Sequence, residues 1–118
     1  MLGEFIQYEG TKSSQSGGMT ISSDGRLYLG LLNQLAIGQG DLNTPDAVAD
    51  SITTLAEDEE LLEWVDCFGF SNGAEEGGFL WFSVNRLNRF LAGQVDSGKV
   101  NYRIERIYVD AGSYMESK

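Results

Sequence analysis

The chain contains no histidine. That absence removes the commonest general base, the usual zinc ligand, and every arrangement in which an imidazole activates a serine or cysteine nucleophile. It holds a single cysteine, Cys67, so no internal disulfide can form and a reducing, cytosolic setting is expected. The adjacent Asp66 disfavours a thiolate, so Cys67 reads as a small buried packing residue. No apolar run approaches the ~20 residues of a membrane span, and no charged leader with a small-residue cleavage site opens the sequence. A soluble protein is expected. The fifteen glycines form neither a GxxxxGK phosphate loop nor a GxGxxG turn, so no nucleotide cofactor is expected. Asp41, Asn43 and Asp46 space oxygen ligands alternately, but a calcium loop of the EF-hand kind needs glycine where Asp46 stands and glutamate where Ile52 stands. No metal is expected.

The sharpest absence is local. Residues 41–76 contain no lysine or arginine and hold eleven of the eighteen acidic residues, a net charge of -11, while the flanking segments 1–40 and 77–118 carry -1 and +2. The overall charge of -10 on 12.9 kDa therefore comes from one third of the chain. Such a balance opposes direct binding to nucleic acid or to an anionic membrane and favours a basic partner.

At 118 residues with 42% hydrophobic content, the length and composition suit one compact domain with a real core. Residues 2–9 read as a strand. Residues 10–18, rich in serine and glycine, read as a flexible loop. Asp24-Gly25 lies between two short runs of β-formers, and a three-residue loop of Ser23, Asp24 and Gly25 pairs Ile21 with Leu27 and Met19 with Leu29. Residues 31–37 fit a short helix stopped by Gly38 and Gly40.

The acidic segment reads as helical. Thr44 and Pro45 make a helix start, with Val48, Ala49, Ile52, Leu55 and Ala56 on one face. Asp58 then caps a second helix whose apolar arc is Leu61, Leu62, Trp64, Val65 and Phe68, closed by Gly69. The run FLWFSV at 79–84 reads as a central strand buried on both faces. A helix through Leu87, Phe90 and Leu91 follows, capped by Ser83 or Asn85 and closed by Gly93, with Arg86 and Arg89 facing outward. Residues 99–109 read as a long strand with a bulge near Glu105 or burial on both sides, and 112–118 as a frayed tail. The expected fold is α+β: a mainly antiparallel sheet of four or five strands with two or three helices on one face.

On this reading Asp46, Asp50, Glu57, Glu59, Glu60, Glu63 and Asp66 form a row of negative charge along exposed helix faces. The expected function is a non-catalytic acidic binding module, an inhibitor or nucleic-acid mimic that occupies a basic protein surface. Two alternatives stand beside it. One is a homo-oligomer in which the acidic segment of one copy meets Arg86, Arg89, Arg103 and Arg106 of another. The other is a small-ligand domain, or an enzyme without histidine, which requires a carboxylate buried near the sheet; Glu4, Glu105 and Asp110 are its candidates.

Overall fold

The structure is a computed structural model describing residues 11–43, 48–71 and 77–113. In chain order its elements are β1 (Ser16–Ile21), β2 (Arg26–Leu31), a 3-10 turn (Leu32–Gln34), β3 (Ala36–Asp41), α1 (Val48–Ser51), β4 (Thr53–Glu57), β5 (Val65–Phe70), β6 (Phe79–Val84), α2 (Leu87–Leu91) and β7 (Arg103–Tyr108). The strands form two antiparallel sheets, β1-β2-β3-β4 and β5-β6-β7, each running in sequence order. The α+β expectation is overturned: this is a β-rich fold with two short helices.

The first hairpin follows from its turn. Gly25 has φ 82°, a conformation that carries a steric cost for any residue with a β-carbon, and the pairs Met19↔Leu29 and Ile21↔Leu27 form as the three-residue loop dictates. Ser22 closes it, its N–H donating to the Arg26 carbonyl at 2.9 Å. Residues 16–18, read as loop, instead belong to β1. The helix expected over 31–37 is only the 3-10 turn, and Leu35 at φ 52° reverses the chain into β3. Gly38 and Gly40 do not stop β3. They sit inside it opposite Leu29 and Leu27, and a β-carbon at Gly38 would stand 2.8 Å from Leu31 Cδ1.

The acidic segment is where the helical reading fails. Among the described residues of this segment only 48–51 are helical, the expected helix start at Thr44 and Pro45 lying outside them; Thr53 to Glu57 pair with β3, and Val65 to Phe70 pair with β6. The β-branched pair Thr53 and Thr54, and Phe68 and Phe70 two apart, are strand signals that the spaced apolar residues masked. Gly69, read as a helix cap, lies in β5 opposite Trp81. Asp58 does cap, its Oδ1 accepting from the N–H groups of Glu60 and Leu61 at 2.9 and 2.8 Å, but it caps a turn rather than a helix.

The run 79–84 is the middle strand of the second sheet, as expected. It is buried on one face, not both: Leu80, Phe82 and Val84 point into the core while Trp81 is exposed. β7 is shorter than expected, pairs without a register shift, and exposes Ile104 and Tyr108 on its outer face. Bulges lie elsewhere: in β1 between Ser16 and Met19, in β4 between Thr54 and Ala56, and in β5 between Val65 and Phe68. Cys67 is exposed, not packed, because Phe68 and Phe70 take the inward positions of β5.

The two sheets share most of the core, while Leu29, Leu31 and Ala36 of the first sheet pack with Leu27 and Ile52. Ile37 and Tyr28 from the first meet Val65, Phe82, Val84 and Leu80 from the second, with Leu62, Leu55, Phe68 and Ile107 filling between them. The sheets also approach backbone to backbone. A β-carbon at Gly17 or Gly18 would collide with the carbonyl oxygens of Val65 and Asp66, and one at Gly30 would lie 2.5 Å from that of Val65. This contact places the turn between β4 and β5, which crosses from one sheet to the other, beside the end of β6.

Candidate functional site

The crossing turn is tied down at both ends. Leu62 donates its N–H to the Asp58 carbonyl at 3.0 Å, and Asn85, just beyond β6, donates to the Trp64 carbonyl at 3.0 Å. Between these anchors Leu62 is buried in the core and Glu63, next in sequence, is carried under α2 and left only 5% exposed. α2 begins where the Asn85 side chain accepts from the Leu87 N–H at 2.8 Å, and Gly93 at φ 70° follows its end. The stop is that expected from the sequence; the start is not, since the N-cap position is Arg86 rather than Ser83 or Asn85 and makes no side-chain capping hydrogen bond.

A buried carboxylate requires compensation, and α2 supplies it. Arg89 grips Glu63 in a fork: Nε lies 3.0 and 2.9 Å from its two oxygens and Nη2 lies 2.5 Å from Oε1. This hydrogen bonding to Glu63 raises the guanidinium pKa of Arg89 above its ordinary value. The Nε of Arg86 lies 3.8 Å from Glu63 Oε2. Arg86 and Arg89 were expected to face outward. Arg86 is instead 9% exposed, and its Nη1 is buried with no hydrogen-bond partner.

Around this cluster opens a cleft of about 700 Å³, walled by the exposed Glu59 and Glu60 on one side and by Lys99 and Arg103 on the other. Its lining carries three carboxylates and four cations, with Arg103 Nη2 at 3.8 Å from Glu60 Oε1. Glu105, inward-facing on β7, has its carboxyl pKa raised by burial, opposed by Arg103 and reinforced by Asp58. A second, smaller pocket of about 280 Å³ adjoins the first through Arg86 and is lined by Leu87, Phe90, Val95 and Asn101.

The acidic row expected on helix faces is dispersed. Asp50 is exposed on α1, Glu57 ends β4, Glu59 and Glu60 lie on the turn, Glu63 is buried in its ion pair and Asp66 is half-buried in β5. Asp46 and Glu4 lie outside the described residues. Residues 57–60 remain a continuous exposed acidic turn. The four arginines proposed to meet this segment from another copy are engaged within the chain: Arg86 and Arg89 at Glu63, Arg103 at Glu60, and Arg106 stacked 4.2 Å from the Phe79 ring centroid. Of the buried-carboxylate candidates, Asp110 is exposed and accepts from the Tyr108 hydroxyl at 3.1 Å. Glu63 was the residue to name. Its signal was the pairing of an acidic segment with a slightly basic one in the same chain.

Asp41, weighed as a cation ligand, accepts from the Asn43 N–H at 2.8 Å, and the Asn43 side chain donates to the Asp24 carbonyl. Among the described residues no group of three or more His, Cys, Asp or Glu side chains is placed to hold a metal ion. No described helix is long and apolar enough to cross a membrane.

No curated protein matches the chain. The family model described as "Major royal jelly protein" matches residues 2–116, nearly its full length. The two-sheet fold with its charged cleft is thus carried by a chain that belongs to the major royal jelly protein family.

Proposed function

We propose that this chain is a non-catalytic binding module whose cleft, between the crossing turn, α2 and the segment before β7, takes a small ligand bearing an anionic group. The observation that carries this reading is Arg86, a buried cation whose Nη1 has no partner. A buried donor left unpaired costs about 1–3 kcal/mol, and more when charged, so an incoming oxygen anion has that much to recover. Lys99 and Arg103 add positive charge at the mouth. The cleft contains no histidine and its buried carboxylate is locked between guanidinium groups, which favours holding a ligand over transferring protons.

The test is a titration with sodium acetate followed by NMR at the Arg86 and Arg103 side chains. Saturable shifts that weaken with added chloride, and weaken about tenfold in a Lys99→Gln, Arg103→Gln double variant, support the reading. An Arg86 resonance that ignores acetate overturns it.

A second reading rests on the acidic turn. Glu57, Asp58, Glu59 and Glu60 are all exposed, and four adjacent carboxylates attract a basic protein surface. This reading expects polylysine to bind in low salt and to be released at high salt. Changing those four residues to their amides should abolish that binding; because Glu59 and Glu60 also wall the cleft, the same change should strengthen acetate binding rather than weaken it.

A further inference from the structure

Arg86 lines two adjoining cavities of opposite character. On one side lies the charged cleft; on the other lies the pocket formed by Leu87, Phe90 and Val95, which are 42%, 68% and 47% exposed. Three exposed apolar side chains around one concavity incur a hydration cost that an apolar group seated there would remove. The same pocket holds a second buried polar atom without a partner, Asn101 Oδ1. Its identity as the oxygen is fixed by chemistry: the amide nitrogen of Asn101 donates to the carbonyls of Asp96 and Lys99 at 2.8 and 3.1 Å, and the reversed amide would set oxygen against oxygen at both.

An unpaired donor on Arg86, an unpaired acceptor on Asn101 and the apolar side chains that line the same pocket define one ligand chemistry. Resting on the reading of the cleft as an anion site, we infer that the ligand is a carboxylate joined to a branched or aromatic apolar group. The carboxylate lies on the Arg86 guanidinium where the two cavities meet. The apolar group fills the pocket against Leu87, Phe90 and Val95. A ligand that also carries an N–H next to its carboxylate, as an acylated amino acid or a peptide C-terminus does, satisfies Asn101 Oδ1 as well. Both polar atoms are covered by the pocket wall, so engaging them requires a small outward shift. Residues 94–102, which form neither helix nor strand, are the part of the wall best able to give it.

The experiment compares three probes by NMR titration of the whole chain: sodium phenylacetate, sodium acetate and 2-phenylethanol. Phenylacetate is expected to shift Arg86 together with the Leu87 and Val95 methyl groups, and to bind at least about tenfold more tightly than either acetate or 2-phenylethanol. Phe90→Ser, at a side chain too exposed to matter for folding, is expected to reduce phenylacetate affinity to that of acetate and leave acetate unchanged. Equal affinity for acetate and phenylacetate overturns the inference while the anion cleft stands. Equal affinity for 2-phenylethanol and phenylacetate overturns it too, since the pocket then recognises hydrophobicity alone. Failure of both carboxylates to bind overturns the inference and the cleft reading together.

Discussion

At the scale of single residues, the chain spends its charges on itself. Glu63 shows how: a carboxylate drawn under α2 by its neighbour Leu62 becomes stable there only because Arg89 meets it with a two-pronged hydrogen bond and Arg86 stands behind. Glu105 is the less compensated case. Burial raises its carboxyl pKa in the folded chain, so the proton is held to higher pH than in the unfolded chain. The sign follows. Stability associated with this group is fully present below the unfolded value of about 4.3 and is lost as pH rises through the folded value. Glu105→Gln, which never ionises, should therefore raise the thermal midpoint at pH 7 by about 1–2 °C, solvent screening keeping the gain small, and the difference should vanish below about pH 4. Thermal unfolding of both forms across pH 3 to 8 checks this; a constant difference over that range refutes burial of the ionised form as the cause.

At the scale of elements, the decisive contact is strand backbone on strand backbone. β1 and β2 lie against β5 only because Gly17, Gly18 and Gly30 present no side chain there. A β-carbon at Gly18 meets the Asp66 carbonyl, a rigid backbone atom inside a paired strand, so neither partner yields easily. Gly18→Ala is expected to destabilise the chain by about 2–3 kcal/mol, measured as a lower urea midpoint. Gly69 is the matched control: nothing stands within 4 Å of a β-carbon built there, and Gly69→Ala should cost far less. The same positions explain what the sequence showed and hid. The first hairpin was legible to the residue, because Asp24-Gly25 and the alternation around it are local signals. So was the end of α2, written in Gly93. The strands β4 and β5 were not, because Leu55, Ala56, Leu61, Leu62, Trp64, Val65 and Phe68 sit at spacings that fit a helix as well as two bulged strands on either side of a turn.

At the scale of the whole molecule, most of the core is common to the two sheets. Ile37 packs with Val65 and Phe82, and Tyr28 packs with Leu80 and Val109, so these two clusters draw on both sheets, while Leu29, Leu31 and Ala36 form a third within the first sheet. Unfolding is therefore expected to be a single transition. Tryptophan fluorescence, which reports Trp64 on the crossing turn and Trp81 in β6, should give the same urea midpoint as circular dichroism of the strands. Two separated midpoints would show that the sheets unfold independently. The candidate site belongs to this scale as well: Leu35 comes from the first sheet's side, Glu59, Glu60 and Glu63 from the turn between the sheets, and the rest from around α2 and the segment before β7, so residues from 35 to 103 converge there.

What the sequence determined by itself was set by composition and by neighbours. The lack of histidine restricted the chemistry, the one-third of the chain without a single cation fixed where negative charge concentrates, and turn residues fixed the first hairpin and the end of α2. Only the tertiary structure decided that the acidic segment holds two strands where helices were expected, that Glu63 is buried, and that the arginines answer it within the same chain. The reason is physical. Whether an apolar spacing folds as helix or strand depends on which surface is there to cover it, and β3 and β6 offered open strand edges to residues 53–57 and 65–70. Likewise, an arginine spaced 23 or 26 positions from a glutamate finds it only when packing has brought the two together, a distance in space that no local pattern records.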